Sequence, residues 1–482
     1  MGDYDNDGDP DVFLTRVGLP NALMRNDDGR FVDVTEPAGL GVAPGEAAST
    51  GSTGAEFVDL TGDGVLDLVM LGLGRSPNRL YLGTPDGTFG PAEGAWALPS
   101  ATPPSADGTM YSLSAADYDR DGRIDLFLGA DDPSLRDETL ELAGSAEPRP
   151  GTCDGVPPVA PTPSADAGSG ESDSDDAGSA DTGQSVLLRN TGEGFEDRTD
   201  RLGLDVAELV VRAPRFADMN GDGFEDLLLA GRLCTTSVLI NDTEGGFVDR
   251  TDGSGMEDIH TAQSASLLDA DGDGTLDWFL SGVAYPTRSG ECPVADPTAS
   301  CEGNHLLLGM GDGTFTDATD EYGLGDGFWG QGSTSGDFNL DSRVDLMMTN
   351  GFEGVATARE DTGTDPDRRY YERGVNDPDR LWLNVDSTPW PQAAADTGLT
   401  GTASGKAAVS LDYDGDGLLD VLTANTSGAP TLWRNTTEND SHWLAVRLED
   451  PNSPNTAGIG ATVEVTTSAG ATQSRRITTD GS

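Results

Sequence analysis

Short apolar runs recur along this chain, and each one follows an acidic loop. Asp67-Leu-Val-Met-Leu and Asp226-Leu-Leu-Leu-Ala are typical of these runs. They have the length of a buried β-strand and are too short for a helix. A second strand-like run precedes all but the first loop, as in Lys406-Ala-Ala-Val-Ser-Leu. The alternation of strand, loop and strand predicts an all-β fold.

A second module follows each apolar run and completes a repeat. In its full form, a strand ends in a polar turn with Gly, and a Phe then opens another short strand. The five copies with this Phe have Phe31, Phe89, Phe195, Phe247 and Phe315. Four antiparallel strands in a repeat are typical of a propeller blade. The acidic loops begin 56, 58, 101, 51, 68 and 75 residues apart, so seven repeats predict a seven-bladed β-propeller over residues 1–437. We expect the repeated Phe to pack between blades.

The seven loops share one spacing of oxygen-bearing side chains. Position 1 is Asp, positions 3, 5 and 9 are usually Asp, and position 6 is usually Gly. Hard oxygen ligands that converge on a tight turn suit Ca²⁺, and Gly permits the sharp reversal of the backbone. The sequence therefore predicts up to seven Ca²⁺ sites. Their ligands, loop by loop, are Asp3, Asp5, Asp7 and Asp11 (loop 1); Asp59, Thr61, Asp63 and Asp67 (loop 2); Asp117, Asp119, Asp121 and Asp125 (loop 3); Asp218, Asn220, Asp222 and Asp226 (loop 4); Asp269, Asp271, Asp273 and Asp277 (loop 5); Asp337, Asn339, Asp341 and Asp345 (loop 6); Asp412, Asp414, Asp416 and Asp420 (loop 7).

The loops differ in how complete this ligand set is. Thr61 replaces an acid at position 3 of loop 2, and Asn220 and Asn339 are neutral at that position in loops 4 and 6. Ser342 replaces the Gly of loop 6. We therefore expect loops 2 and 6 to be the weakest sites. An acidic turn that binds no metal is the alternative explanation of the pattern.

An EF-hand begins with a similar spacing but is excluded. It requires a bidentate Glu at position 12 and a helix on each side of the loop. Position 12 holds no acid in any copy, and a strand-like run follows every loop.

Charge limits the classes of partner. With 85 acidic and 28 basic residues, the net charge is −57, which argues against nucleic acid or an anionic membrane as a partner. No apolar run is long enough to span a bilayer, so we expect no membrane insertion.

Insertions and cysteines lie between the repeats. Residues 144–184 are rich in Pro, Ala, Ser, Asp and Gly and predict a disordered loop. Smaller insertions lie near 284–303 and 353–378, and all three should emerge on one face of the ring. Cys292 and Cys301 would close a small loop as a disulfide, and Cys153 and Cys234 remain as a pair by elimination. An even number of cysteines fits an oxidising compartment.

The two modules in phase resemble the FG-GAP/VCBS repeats of integrin α-chain propellers. After Asn435 the chain, with His442-Trp443-Leu-Ala-Val-Arg-Leu448 and Gly458-Ile459-Gly-Ala-Thr-Val-Glu-Val465, resembles the start of an ASPIC/UnbV domain over residues 438–482. That domain follows FG-GAP repeats in secreted proteins similar to cartilage acidic protein. The resemblance implies a secreted or cell-surface protein. Because loop 1 has no strand before it and the C-terminal pattern stops early, we expect truncation at both ends, with the signal peptide lost.

These observations favour a non-enzymatic extracellular scaffold whose Ca²⁺ is structural and whose loops bind protein or glycan. The alternative is a secreted lyase or hydrolase that acts on polysaccharide in the central channel. Against an enzyme, His260, His305 and His442 are the only histidines, and no HExxH or GxSxG spacing occurs.

Overall fold

The chain forms an all-β structure in a computed structural model. The model describes residues 1–41, 51–73, 76–99, 109–131, 184–206, 209–232, 235–257, 259, 261–283, 303–351, 377–426, 428–438, 441–466 and 472–479. The four cysteines, His260 and almost all of the three predicted insertions lie outside these ranges, so the disulfides and the disordered loop stay predictions. Within the described residues, no helix has the length and apolar character needed to span a membrane.

Seven antiparallel sheets follow one another along the chain and form the seven blades, as predicted. The blades consist of β1 Val12–Leu14, β2 Ala22–Asn26 and β3 Phe31–Asp33 (blade 1); β4 Ser52–Val58, β5 Asp67–Gly72, β6 Arg79–Gly83 and β7 Phe89–Pro91 (blade 2); β8 Thr109–Ala116, β9 Asp125–Asp131, β10 Val186–Asn190 and β11 Phe195–Asp197 (blade 3); β12 Val211–Ala217, β13 Asp226–Gly231, β14 Ser237–Asn241 and β15 Phe247–Asp249 (blade 4); β16 Ser264–Leu268, β17 Asp277–Ser281, β18 His305–Gly309 and β19 Phe315–Asp317 (blade 5); β20 Gly330–Gly336, β21 Asp345–Asn350 and β22 Arg380–Trp382 (blade 6); β23 Gly405–Leu411, β24 Asp420–Asn425 and β25 Thr431–Trp433 (blade 7). Short helices connect some strands: 3₁₀ turns at Gly94–Trp96 and Thr199–Arg201, and α-helical turns at Thr319–Tyr322 and Ala394–Thr397.

Strand order within each blade follows the chain, and every pairing is antiparallel. In blade 4, for example, β13 pairs with both β12 and β14, and β15 forms the outer edge. Blades 2 to 5 have the four strands that the sequence predicts, and among the described residues blades 1, 6 and 7 have three strands each. Blade 1 has no strand before its loop, and blades 6 and 7 have no fourth strand, although Trp382 and Gln392 form an isolated bridge.

The hydrophobic core lies between blades rather than inside any one of them. The second strand of a blade is buried on both faces, as the pattern of β13 shows. One buried cluster joins blades 2 and 3 through Leu71, Leu80, Leu126 and Val186. Corresponding clusters join the other neighbouring blades from blade 3 to blade 7 and blades 1 and 2. A blade is therefore stabilised chiefly by its neighbours, as expected for a repeat architecture.

The repeated Phe packs between blades, which confirms that prediction. Phe89 of blade 2 lies 5.6 Å from Tyr4 of loop 1, measured between ring centroids. Phe247 of blade 4 lies 5.5 Å from Tyr118 of loop 3 in the same way. The Phe of one blade thus covers position 2 of the preceding loop.

Contacts of the same kind join blades 7 and 1 and close the ring. The Asn26 side-chain amide donates a 2.8 Å hydrogen bond to the carbonyl of Tyr413 in loop 7. The ring of Phe31 stacks on that of Tyr413, with 6.3 Å between centroids. In the described residues, no blade combines strands from both ends of the chain.

After blade 7 the chain forms one hairpin, β26 Thr462–Thr466 and β27 Thr472–Arg476. The alternation of apolar residues from His442 to Leu448 predicts a strand, and this prediction is wrong. Those residues have no β-pairing, and Trp443 and Leu444 are 51% and 68% exposed. Without a neighbouring strand, their backbone groups have no ladder to join.

Candidate metal centres in the seven loops

All seven loops adopt the same turn, and two positions in it require a left-handed backbone. Position 6 has positive φ in every loop, from Gly8 (100°) to Gly417 (85°). Position 4 also has positive φ in every loop, and it is Gly in some loops and another residue in others. In loop 6 both positions are non-glycine, because Leu340 has φ 56° and Ser342 has φ 79°. A left-handed residue with a side chain costs about 1–2 kcal/mol, so loop 6 has the most strained turn.

Backbone N–H groups hold the carboxylates at positions 1 and 5. The N–H of position 6 donates to the Asp at position 1 in all seven copies, as from Gly122 to Asp117 at 2.9 Å. The N–H of position 7 donates to the Asp at position 5, as from Arg123 to Asp121 at 3.0 Å. The turn itself therefore orients two of the predicted ligands without help from other segments.

The Asp at position 9 is buried and joins the loop to the third strand of its own blade. In loop 4, Asp226 accepts from the N–H of Met219 at 2.8 Å and from the N–H of Asn241 at 2.8 Å. The same pair of bonds recurs in the other six loops. Burial raises the pKa of Asp226 to about 7, even though the two N–H groups lower it. Burial likewise raises the pKa of Asp67 and Asp277 to about 7.

Four of the seven loops bring three carboxylates together. In each, one oxygen from each of three aspartates lies within 4.8 Å of the others. These are the four loops with an acid at position 3. The groups are Asp3, Asp5 and Asp11; Asp117, Asp119 and Asp125; Asp269, Asp271 and Asp273; Asp412, Asp414 and Asp420. Among described residues, Asp7, Asp121, Asp277 and Asp416 lie outside these groups, and loops 2, 4 and 6 form none.

Several inward-facing oxygens in these loops have no hydrogen-bond donor. Buried Oδ1 atoms of Asp3, Asp5, Asp117 and Asp414 receive no hydrogen bond from any described residue. Buried polar atoms without a partner are rare, and each one needs an explanation. A set of converging carboxylate oxygens without donors fits Ca²⁺, which takes six to eight oxygen ligands.

Two arginines hold the outer oxygens of the same carboxylates. In loop 7, Arg434 Nε lies 2.8 Å from Asp414 Oδ2, and its Nη2 lies 3.0 Å from Asp416 Oδ2. In loop 3, Arg189 contacts Asp119 and lies 2.8 Å from Asp121. Arg189 lies on β10, and Arg434 directly follows β25. A guanidinium that bridges two carboxylates fixes their orientation, as partners behind metal ligands commonly do.

In loop 2, protein donors satisfy both oxygens of the first ligand, as they also do in loops 4 to 7. Asp59 Oδ1 accepts from the N–H groups of Gly62 and Asp63, and its Oδ2 accepts from the N–H of Gly64. The hydroxyl of Thr456, from the C-terminal segment, also donates to Asp59 Oδ2 at 2.7 Å. Together with Thr61 at position 3, the added donor Thr456 supports the expectation that loop 2 is a weak site.

The sequence analysis assigned no role to an Asn that ends the third strand in five blades. In blade 4, the Asn241 side-chain amide donates to the carbonyl of Tyr118, position 2 of the preceding loop, at 2.9 Å. The other four make the same bond to the preceding blade: Asn26, Asn190, Asn384 and Asn435. Gly83 and Gly309 take this place in blades 2 and 5. The signal was present, since this Asn follows position 9 of the loop by 15 residues in blades 1, 4 and 7.

Comparison with known families agrees with this repeat geometry. The FG-GAP-like repeat family matches residues 3–70, 59–128 and 218–280. These stretches contain loops 1 to 5. These three stretches are thus similar to FG-GAP-like repeats. Each of them runs from one loop to the strand that follows the next loop. No curated protein sequence matched the chain.

Solved structures resemble the chain only distantly. An Agrocybe aegerita protein described as recognising non-reducing terminal N-acetylglucosamine is 14% identical with a TM-score of 0.43, covering 98% of this chain and 96% of its own. A Trypanosoma rangeli sialidase is 10% identical with a TM-score of 0.42, covering 88% of this chain and 59% of its own. A Bacillus licheniformis rhamnogalacturonan lyase is 14% identical with a TM-score of 0.36, covering 90% of this chain and 72% of its own. At these scores the likenesses say nothing about function.

Proposed function

We propose that this chain is an extracellular, Ca²⁺-binding β-propeller that acts as a non-enzymatic scaffold for binding protein or glycan. The observation that supports the metal is the set of buried carboxylate oxygens without donors in loops 1, 3 and 7. The proposal also assigns residues 438–482 to the beginning of an ASPIC/UnbV domain, on the resemblance of their sequence.

Calcium has a structural role in this proposal. Without a cation, the aspartates of a loop repel one another and are partly removed from water, which disfavours their charged form. Burial and the neighbouring carboxylates Asp7 and Asp3 raise the pKa of Asp5, as this argument requires. A bound Ca²⁺ would remove the repulsion and hold the turn, using the side chains at positions 1, 3, 5 and 9. Loops 1, 3, 5 and 7 would bind most tightly, because each has an acid at position 3.

Thermal unfolding in EDTA and in millimolar Ca²⁺ tests the proposal. Four sites that are each filled at 100 times their Kd would add about 11 kcal/mol to the free energy of unfolding. That gain should raise the Tm by on the order of 10 °C. Millimolar Mg²⁺ is the control, because its small ion demands a stricter octahedral geometry. A Tm that is the same in EDTA and Ca²⁺ would show that these loops need no metal.

A further inference from the structure

The C-terminal segment, residues 441–466 and 472–479, lies across the end of the ring that carries the loops. Trp443 packs against Gly417 of loop 7, where a Cβ on the glycine would collide with the indole. Arg447 then reaches loop 1, with 2.7 Å from its Nη1 to Asp3 Oδ2 and 2.8 Å from its Nη2 to Asn6 Oδ1. These two contacts connect the last blade with the first.

The same segment continues over loops 2, 3 and 4. Pro454 lies against Gly62 of loop 2 and Gly122 of loop 3. A Cβ on Gly62 would lie 2.9 Å from the nearest Pro454 atom, and a Cβ on Gly122 would lie 3.6 Å from it. Thr456 donates to Asp59, as described above. Five consecutive loops around the ring, from loop 7 to loop 4, are therefore in contact with one short stretch of chain.

A buried ion pair holds the far end of this stretch. Arg476 of β27 contacts Glu225 of loop 4, and their side chains are 13% and 11% exposed. Glu225 is outside the predicted metal ligands. Ile459 packs against the core between blades 2 and 3. Removing one partner of a buried ion pair is strongly destabilising, because it leaves the other charge buried without a partner. Loss of either Arg476 or Glu225 should therefore free this end of the segment.

The segment also covers the central channel. A cavity of about 30 Å³ remains beneath it. Its walls are the first strands of blades 2 to 5, through residues such as Glu56, Ser114, Phe216 and Leu267, and its cover is Ile459 with residues 476–479. The C-terminal segment therefore leaves room for about one or two water molecules between itself and these strands.

We infer that residues 441–466 and 472–479 act as a clasp that holds the ring closed between blades 7 and 1. Propellers commonly protect their closing edges with one blade built from strands of both chain ends. In the described residues, no blade has this composition. The clasp supplies this connection with side chains, running from loop 7 through loop 1 to the anchor at Glu225. The inference goes beyond the proposed calcium function and does not depend on it.

A charge swap at the anchor tests the clasp. Glu225→Arg and Arg476→Glu each place two like charges in contact, and the double variant restores an opposite pair. Hydroxyl-radical footprinting should label Ile459, which packs against the core, severalfold faster in each single variant. Hydrogen exchange in β1 and β25 should accelerate about tenfold, which corresponds to about 1.4 kcal/mol. Both quantities should return toward wild-type values in the double variant.

The control is Arg201→Glu, which reverses the charge of an exposed arginine in blade 3. All measurements are made in EDTA as well as in Ca²⁺, so that a change in metal binding is separated from release of the clasp. If the single variants do not fold, Arg447→Gln removes only the contact with loop 1 and should accelerate exchange in β1 by a smaller factor. Unchanged labelling of Ile459 would overturn the inference. Faster labelling of Ile459 with unchanged hydrogen exchange in β1 and β25 would show that the segment is released without loosening the ring, and would overturn its closing role.

Discussion

The asparagine that ends the third strand offers the sharpest test of how the blades are joined. Asn190 is fully buried. Its Nδ2 donates to the carbonyl of Leu60 in blade 2 at 2.8 Å and to that of Ile124 at 3.1 Å. Its Oδ1 accepts from the N–H of Gly192 at 2.8 Å. We predict that Asn190→Ala strongly destabilises the ring, because three backbone groups lose their partner at once.

The size of the effect follows from the groups left behind. A buried polar group without a partner costs about 1–3 kcal/mol, and the carbonyls of Leu60 and Ile124 would both be left in this state. The lost amide also leaves a small cavity. Asn190→Ala should therefore lower the free energy of unfolding by about 2–4 kcal/mol. Most of this loss of stability should come from the interface between blades 2 and 3.

Equilibrium unfolding in urea at saturating Ca²⁺ measures this difference while the loops stay in one state. Asn435→Ala is the matched control, since Asn435 makes the equivalent bond to Phe338 in blade 6 at 2.7 Å but is only half-buried. Water can replace its lost partner, so we expect a cost of about 1 kcal/mol. If Asn190→Ala costs less than about 0.5 kcal/mol, or no more than Asn435→Ala, the asparagine does not join the blades in the way described.

Two further predictions concern the loops and a buried acid. Asp414→Asn should lower the number of bound Ca²⁺ by about one in calorimetric titration, whereas Thr61→Val should leave it unchanged, and equal effects would show that position 3 does not rank the sites. Burial raises the pKa of Asp379 in blade 6 from its ordinary value of 3.8 to about 7. The folded state therefore binds this proton more tightly than the unfolded state, so the stabilisation is complete below pH 3.8 and is lost as the pH rises through 7. Asp379→Asn cannot titrate, and its stability relative to wild type should rise by up to about 4 kcal/mol between pH 4 and pH 8. A difference that stays constant with pH in urea unfolding would contradict this.

The blades were predictable from the sequence because each one has a local signature. In a nine-residue turn such as loop 3, the backbone hydrogen bonds that hold positions 1, 3 and 5 lie within the turn, so its spacing appears unaltered in the sequence. The strands on both sides are continuous apolar runs because the core lies on both faces of each blade. The ranking of loops 2 and 6 as the weakest sites rests on single residues and stays a prediction. Structure adds that Asp59 is saturated by donors and that Leu340 and Ser342 both have positive φ.

What the sequence did not reveal are bonds between segments far apart in the chain. Asn26 and Tyr413 are separated by 387 residues, and nothing in either repeat alone indicates that they meet. The missing fourth strand of blade 6 was also unpredictable. Its chain turns after Trp382 and returns with one bridge, at Gln392, instead of a ladder. The strand predicted for His442 to Leu448 was wrong for a related reason: an apolar alternation forms a strand only where a neighbour offers backbone partners.

The distribution of the interblade asparagine shows where the ring relies on other contacts. Blades 2 and 5 have Gly83 and Gly309 in its place, so the interfaces with blades 1 and 4 lack this hydrogen bond. At blade 2, aromatic packing compensates, because Phe89 lies within 6.2 Å of Phe57 and 5.6 Å of Tyr4. At blade 5, Phe315 and Trp278 join the buried cluster of blade 4. The asparagine and the aromatic packing are thus two ways to fix neighbouring blades, and some interfaces use both. Asn241 and Phe247 of blade 4 both contact Tyr118 of blade 3, and Asn26 and Phe31 of blade 1 both contact Tyr413 of blade 7. The first and last blades are therefore joined by the same contacts that join neighbouring blades elsewhere in the ring.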